Sequence, residues 1–211
     1  MPEMGNVSEY LKKAAKYDIS EAKIRFLHAS LDAPKIDIFV NHTCISTDVH
    51  YKKITEYVFL PKGELQIDLY PSGNKVNFFI SEKITVEPGK SYTLAFIGKI
   101  NSFRLIPYLN QPDVPIGEAK IRFLHLTPDA PPLDIAVKNR DVVFPNVLYE
   151  KGTDYLGLTP MTIDLEVREF GTKNVILPMP KSRFLPNETY TIILIGFIKE
   201  GPEIEALFIK D

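Results

Sequence analysis

The sequence of 211 residues predicts an all-β fold of two tandem antiparallel β-sandwich domains behind a short N-terminal helix. Three observations predict it: an internal repeat, a hydrophobic period of two, and turn residues roughly every ten positions. The repeat sets the number of domains. Glu21-Ala22-Lys23-Ile24-Arg25-Phe26-Leu27-His28 recurs letter for letter as Glu118-Ala119-Lys120-Ile121-Arg122-Phe123-Leu124-His125. Asp32-Ala33-Pro34 returns as Asp129-Ala130-Pro131, and Asp37-Ile38 as Asp134-Ile135. Tyr51, Thr55 and Tyr57 are answered by Tyr149, Thr153 and Tyr155; Tyr92-Thr93 and Gly98 are answered by Tyr190-Thr191 and Gly196. Each copy spans about 95 residues, the size of a small β-sandwich. The predicted organisation is therefore 1–20 helical segment, 21–110 first repeat, 111–117 linker and 118–211 second repeat.

The elements follow in order. Tyr10, Leu11, Ala14 and Tyr17 recur at helical spacing, with Asn6 or Ser8 able to cap the first turn. In the first strand Ile24, Phe26 and His28 share one face and Arg25 and Leu27 the other; Ile36, Ile38 and Val40 alternate in the same way in the next. Turns are expected at Asp32-Ala33-Pro34, Asn41-His42, Pro61-Lys62-Gly63, Pro71-Ser72-Gly73-Asn74 and Glu87-Pro88-Gly89-Lys90. Segments 65–70, 76–86, 91–98 and 102–108 bring the total to seven or eight strands per copy. Tyr92 and Tyr190 stand near the start of a late strand, where a tyrosine corner would place them. Pro112 and Pro115 favour an extended, semi-rigid linker.

Composition narrows the function. Lys plus Arg number 25 against 27 Asp plus Glu, so no basic excess points to nucleic acid. The apolar run near Ile192–Ile198 is far too short to span a bilayer, which predicts a chain that is not transmembrane. Lys12, Lys13 and Lys16 interrupt the first twenty residues, which therefore lack a secretory h-region and suggest a cytoplasmic location. A single cysteine, Cys44, excludes an internal disulfide and is expected to be a half-buried strand residue.

The sharpest candidates for chemistry are His28 with Asp32 and His125 with Asp129, because an imidazole beside a carboxylate can move protons or hold a metal. A catalytic pair needs a nucleophile or an orienting third group, and zinc needs more ligands. The structural reading is preferred: each His ends a strand and bonds to backbone, and each Asp caps its turn. Occurrence in both copies favours a fold-defining turn. Asp37, Asp68, Asp134 and Asp164 lack the dense spacing of calcium loops and are expected on the solvated face of a sheet. Tyr51, Tyr57, Tyr149 and Tyr155, with Tyr70 beside a turn, could offer aromatic faces to a peptide or sugar; packing with the hydroxyl at the rim is the plainer reading. No catalytic constellation, metal site or cofactor motif is found in the sequence.

These residues resemble a known family. Ile24-Arg25-Phe26-Leu27-His28-Ala29-Ser30-Leu31-Asp32-Ala33-Pro34 followed by Ile36-Asp37-Ile38-Phe39-Val40-Asn41 resembles the opening of the domain of unknown function numbered 4397. His125-Leu126-Thr127-Pro128-Asp129-Ala130-Pro131, the Tyr-x3-Thr-acidic-Tyr segments and the Pro-Gly turn before Tyr92-Thr93-Leu94 are similar to it as well. The resemblance implies immunoglobulin-like sandwiches without established catalysis, mainly bacterial and often exported or surface-attached. Two departures stand out: the missing export signal, and Asn41-His42 where Asn-Gly is commoner, which implies a less ideal type I′ turn. The resulting expectation is a non-enzymatic binding or structural module for a protein or envelope-glycan partner. Self-association through exposed strand edges is a further expectation. The alternative is a metal-dependent carbohydrate-binding protein or hydrolase using the His28/Asp32 and His125/Asp129 loops.

Overall fold

The computed structural model describes residues 20–199 and 202–211, and the predicted N-terminal helix lies outside them. The described residues form sixteen strands and no helix. Two compact units emerge, one around the first eight strands and one around the last eight. No helix among the described residues is long and apolar enough to cross a membrane.

In the first unit the strands are β1 Glu21–His28, β2 Ile36–Val40, β3 Thr43–Val49, β4 Val58–Pro61, β5 Gly63–Pro71, β6 Ile80–Val86, β7 Ser91–Ile97 and β8 Arg104–Asn110. They make two four-stranded sheets, β4-β1-β7-β8 and β3-β2-β5-β6. In the second unit they are β9 Ala119–His125, β10 Leu133–Val137, β11 Val142–Val147, β12 Leu156–Leu158, β13 Met161–Glu169, β14 Val175–Phe184, β15 Glu188–Ile195 and β16 Glu205–Lys210. Their sheets are β12-β9-β15-β16 and β11-β10-β13-β14.

The expected all-antiparallel sheets need correction. β1 runs parallel to β7, with Ile24 opposite Tyr92, and β9 runs parallel to β15, with Ile121 opposite Tyr190. Period-two alternation reports faces and carries no information on the direction of a distant partner. The parallel pair has the signature of strands covered on both sides, since Arg25 and Leu27 are buried along with Ile24 and Phe26.

The alternation predicted for β2 puts Ile36, Ile38 and Val40 into the first core, together with Phe26 of β1, Ile67 of β5 and Phe96 of β7. Phe123, Ile135, Val167, Phe184 and Ile192 occupy the second core. Tyr92 and Tyr190 are tyrosine corners: each hydroxyl accepts a backbone N–H five residues upstream, from Glu87 at 3.2 Å and Leu185 at 3.1 Å. Asn41 and His42 both have positive φ, 47° and 66°, as a type I′ turn requires even without glycine. Four edge strands carry prolines, Pro61 in β4, Pro107 in β8, Pro145 in β11 and Pro178 with Pro180 in β14, which removes donors that a foreign strand would need. The predicted linker is tied to the second repeat, where Thr189 Oγ1 donates to Pro112 O at 2.9 Å and Gly117 N to Asn187 Oδ1 at 2.8 Å.

Candidate functional site

His28 and His125 end β1 and β9 in full burial. Nε2 of His28 lies 3.0 Å from Pro34 O and that of His125 3.3 Å from Pro131 O. A carbonyl only accepts, so Nε2 carries the proton in both rings and Nδ1 is bare. His125 Nδ1 accepts from Thr127 N at 3.3 Å, whereas His28 Nδ1 has no hydrogen-bond partner. Burial pushes both imidazoles down, His125 to about 4, and keeps them neutral at pH 7.

Each neighbouring aspartate is committed elsewhere. Asp32 Oδ2 accepts from Ile100 N at 3.3 Å; Asp129 accepts from Ile198 N at 2.9 Å and Lys199 N at 2.8 Å. Burial alone would raise the Asp129 carboxyl, but these N–H donors hold it below its ordinary value. Instead of capping its own turn, each aspartate fastens that turn to the loop after β7 or β15. Histidine and aspartate thus bind different backbone groups, and the arrangement offers no proton relay.

The paired tyrosines are also absorbed into the fold. Tyr51 and Tyr149 meet the buried imidazoles edge-on, with centroids 6.3 and 6.0 Å apart. Tyr57 and Tyr155 lie against buried guanidiniums, Arg25 at 4.7 Å and Arg122 at 4.6 Å from the ring centroid. Nε of Arg25 donates to Thr93 Oγ1 at 3.0 Å and that of Arg122 to Thr191 Oγ1 at 2.9 Å. In the second copy Asp211 Oδ2 accepts from the Tyr155 hydroxyl at 2.5 Å and from Thr191 Oγ1 at 2.7 Å. Burial is the main cause that drives the Tyr155 hydroxyl above the usual phenol range.

Asp37, Asp68 and Asp134 are buried, not solvated as their alternation suggested. Asp37 accepts from Asp48 N at 3.0 Å, Ser72 Oγ at 2.7 Å and Gly73 N at 3.2 Å; Asp134 accepts from Asn146 N at 2.8 Å and Gly171 N at 3.0 Å. Asp48 and Asn146 are bulge residues with φ of 54° and 53°, and each carboxylate locks the bulge to the next turn. Asp164 instead accepts from Lys181 N at 2.8 Å. Cys44 is exposed on β3, outside the half-buried setting expected for it. Among the described residues no three His, Cys, Asp or Glu side chains gather where they could hold a metal ion.

The two repeats diverge on the outer face of the sheet that holds β2 or β10. In the first, Phe39 and Tyr70 meet at 5.5 Å and 81°, and Tyr70 and Phe78 at 6.4 Å and 88°, with Lys75 Nζ 4.9 Å from the Phe39 centroid. Phe78 is 56% and Val76 83% exposed. Beside them Asp68 Oδ1 accepts from Gln66 Nε2 at 2.9 Å and Ser81 Oγ at 2.7 Å. In the second, the strand registers put Glu166 where Asp68 stands and Arg168 where Tyr70 stands. Arg168 Nε donates to Glu166 Oε1 at 2.7 Å, and Arg168 Nη2 to Val137 O at 3.3 Å. That pair borders a polar depression with Arg140 and Lys173. Sequence reasoning singled out Tyr70 but missed Phe39 and Phe78. The signal for Phe39 is its alternation with the core residues Ile38 and Val40, while Phe78 lies in an irregular stretch just before β6, inside a segment that reads as strand.

The sequence matches the family described as Domain of unknown function (DUF4397) twice, over residues 22–136 and 119–211. No curated protein matches it. Among solved structures, the crystal structure of CBMbc (family CBM26) from Eubacterium rectale Amy13K in complex with maltoheptaose is similar at 9% identity, over 90% of this chain and 97% of that one, with a TM-score of 0.25.

Proposed function

Because this chain belongs to the Domain of unknown function (DUF4397) family, as a tandem pair of its domains, we propose that it is a non-enzymatic binding module whose first repeat docks a protein through Phe39, Tyr70 and Phe78. The observation that carries this reading is the aromatic cluster on the outer face of β2 and β5, half-buried at Phe39 and Tyr70 and well exposed at Phe78 beside Val76. Aromatic side chains that combine apolar area with few rotamers are the usual anchors of protein interfaces. The rings stand nearly perpendicular to one another, so they form no flat platform for a run of sugar rings. Apolar side chains of a protein pack over the solvent-facing parts of such rings, and Lys75 at the edge favours an acidic neighbour. Quantitative affinity capture tests the reading. Tyr70→Ser with Phe78→Ser should lower retention of the partner about tenfold or more, while Lys173→Ala on the second repeat leaves it unchanged. Equal retention by all three proteins, or a reproducible hydrolytic activity in place of any partner, overturns it.

A further inference from the structure

The interior of the second repeat contains a cavity of about 140 Å³ between its two sheets. Ile121, Phe123 and Ile135 line its buried part, and Leu156 and Met161, 41% and 38% exposed, stand at its rim. No polar side chain lines it. A water molecule in its buried part would lack the two to four polar partners it needs, so that part favours hydrocarbon. An apolar cavity of about 150 Å³ holds benzene, which sets the capacity at about six carbons. The rim is adaptable. The strand registers place Met161, opposite Phe184, where the first repeat has Gly63 opposite Val86, and the flexible, polarisable thioether of Met can shift to admit a guest. At the matching edge of the first repeat Ile45, Val58 and Leu60 pack against the core.

We infer that the second repeat binds the hydrocarbon part of a small molecule, a ring or chain end of about six carbons, in this cavity, with any polar group left outside the Leu156–Met161 rim. The site is separate from the aromatic face of the first repeat and stands or falls without it. The test titrates the full chain with benzene and, separately, with 1-hexanol, and follows methyl resonances of Ile135 and Leu165. Both probes should saturate one site and compete for it, and Ile163→Phe, which fills the cavity, should weaken both about tenfold or more. Absence of a saturable shift, or shifts unchanged in the folded Ile163→Phe protein, overturns the inference. If that variant does not fold, competition in the unaltered protein decides: mutual displacement supports a single cavity, and independent shifts overturn it.

Discussion

On the outer face of β5 the first repeat carries Asp68 and Tyr70, and at the same positions of β13 the second carries Glu166 and Arg168. Around these positions the wiring is common to both copies: the histidine to a proline carbonyl, the aspartate to a distant loop, the arginine to a threonine, the tyrosine corner. The hydrogen bonds that recur close turns and satisfy buried backbone, as any such sandwich must. The positions that differ lie where the sheet needs nothing beyond a strand, so they are free to carry a surface function. One copy uses them for a half-buried tyrosine that supports the exposed Phe78, the other for a buried ion pair.

The largest expected effect breaks that ion pair. Arg168→Met leaves Glu166 buried without its cation and should cost about 3–5 kcal/mol in urea denaturation, whereas Glu166→Leu with Arg168→Met should return close to the original stability. Acidification comes next. An unfolded histidine takes up its proton near pH 6.5 and folded His125 only at about 4, so between these values the unfolded chain binds the additional proton. Stability is therefore complete above pH 6.5 and declines as pH falls toward 4, by about 3 kcal/mol from this residue. His28 is shifted in the same direction, and His125→Gln should flatten the slope in pH-dependent unfolding. Smaller and equal losses are expected from Tyr92→Phe and Tyr190→Phe, about 1 kcal/mol each, because each removes one hydroxyl acceptor from a backbone N–H. A marked inequality would mean that the two corners are not equivalent. The smallest effect is Phe78→Ser, which should move stability by about 0.5 kcal/mol or less, since the ring is mostly in solvent.

Much of this was legible in the residues. The repeat announced two units, the alternation of Ile36, Ile38 and Val40 announced the core face, and the late tyrosines announced their corners. Parallel pairing of β1 with β7 was not, because pairing direction depends on how distant strands meet. Nor was the burial of Asp37 and Asp134: their partners are backbone N–H groups of bulge residues, which leave no mark in side-chain pattern. The histidine–proline carbonyl bonds fit a strand-end reading of the two histidines, whereas the aspartates reach a loop 68 or 69 positions away, which a reading of each Asp as the cap of its own turn does not contain. The aromatic face was only partly visible, through Tyr70, since it takes the fold to bring Phe39 and Phe78 beside that ring.

Hydroxyl-radical footprinting of the complex with a captured partner tests the central claim most directly. If the first repeat binds through its aromatic face, oxidation of Phe39, Tyr70 and Phe78 will fall on complex formation while Phe170 and Phe208, exposed on the second repeat, stay as reactive as in the free protein. Protection of the second repeat with Tyr70 and Phe78 left fully reactive would contradict it.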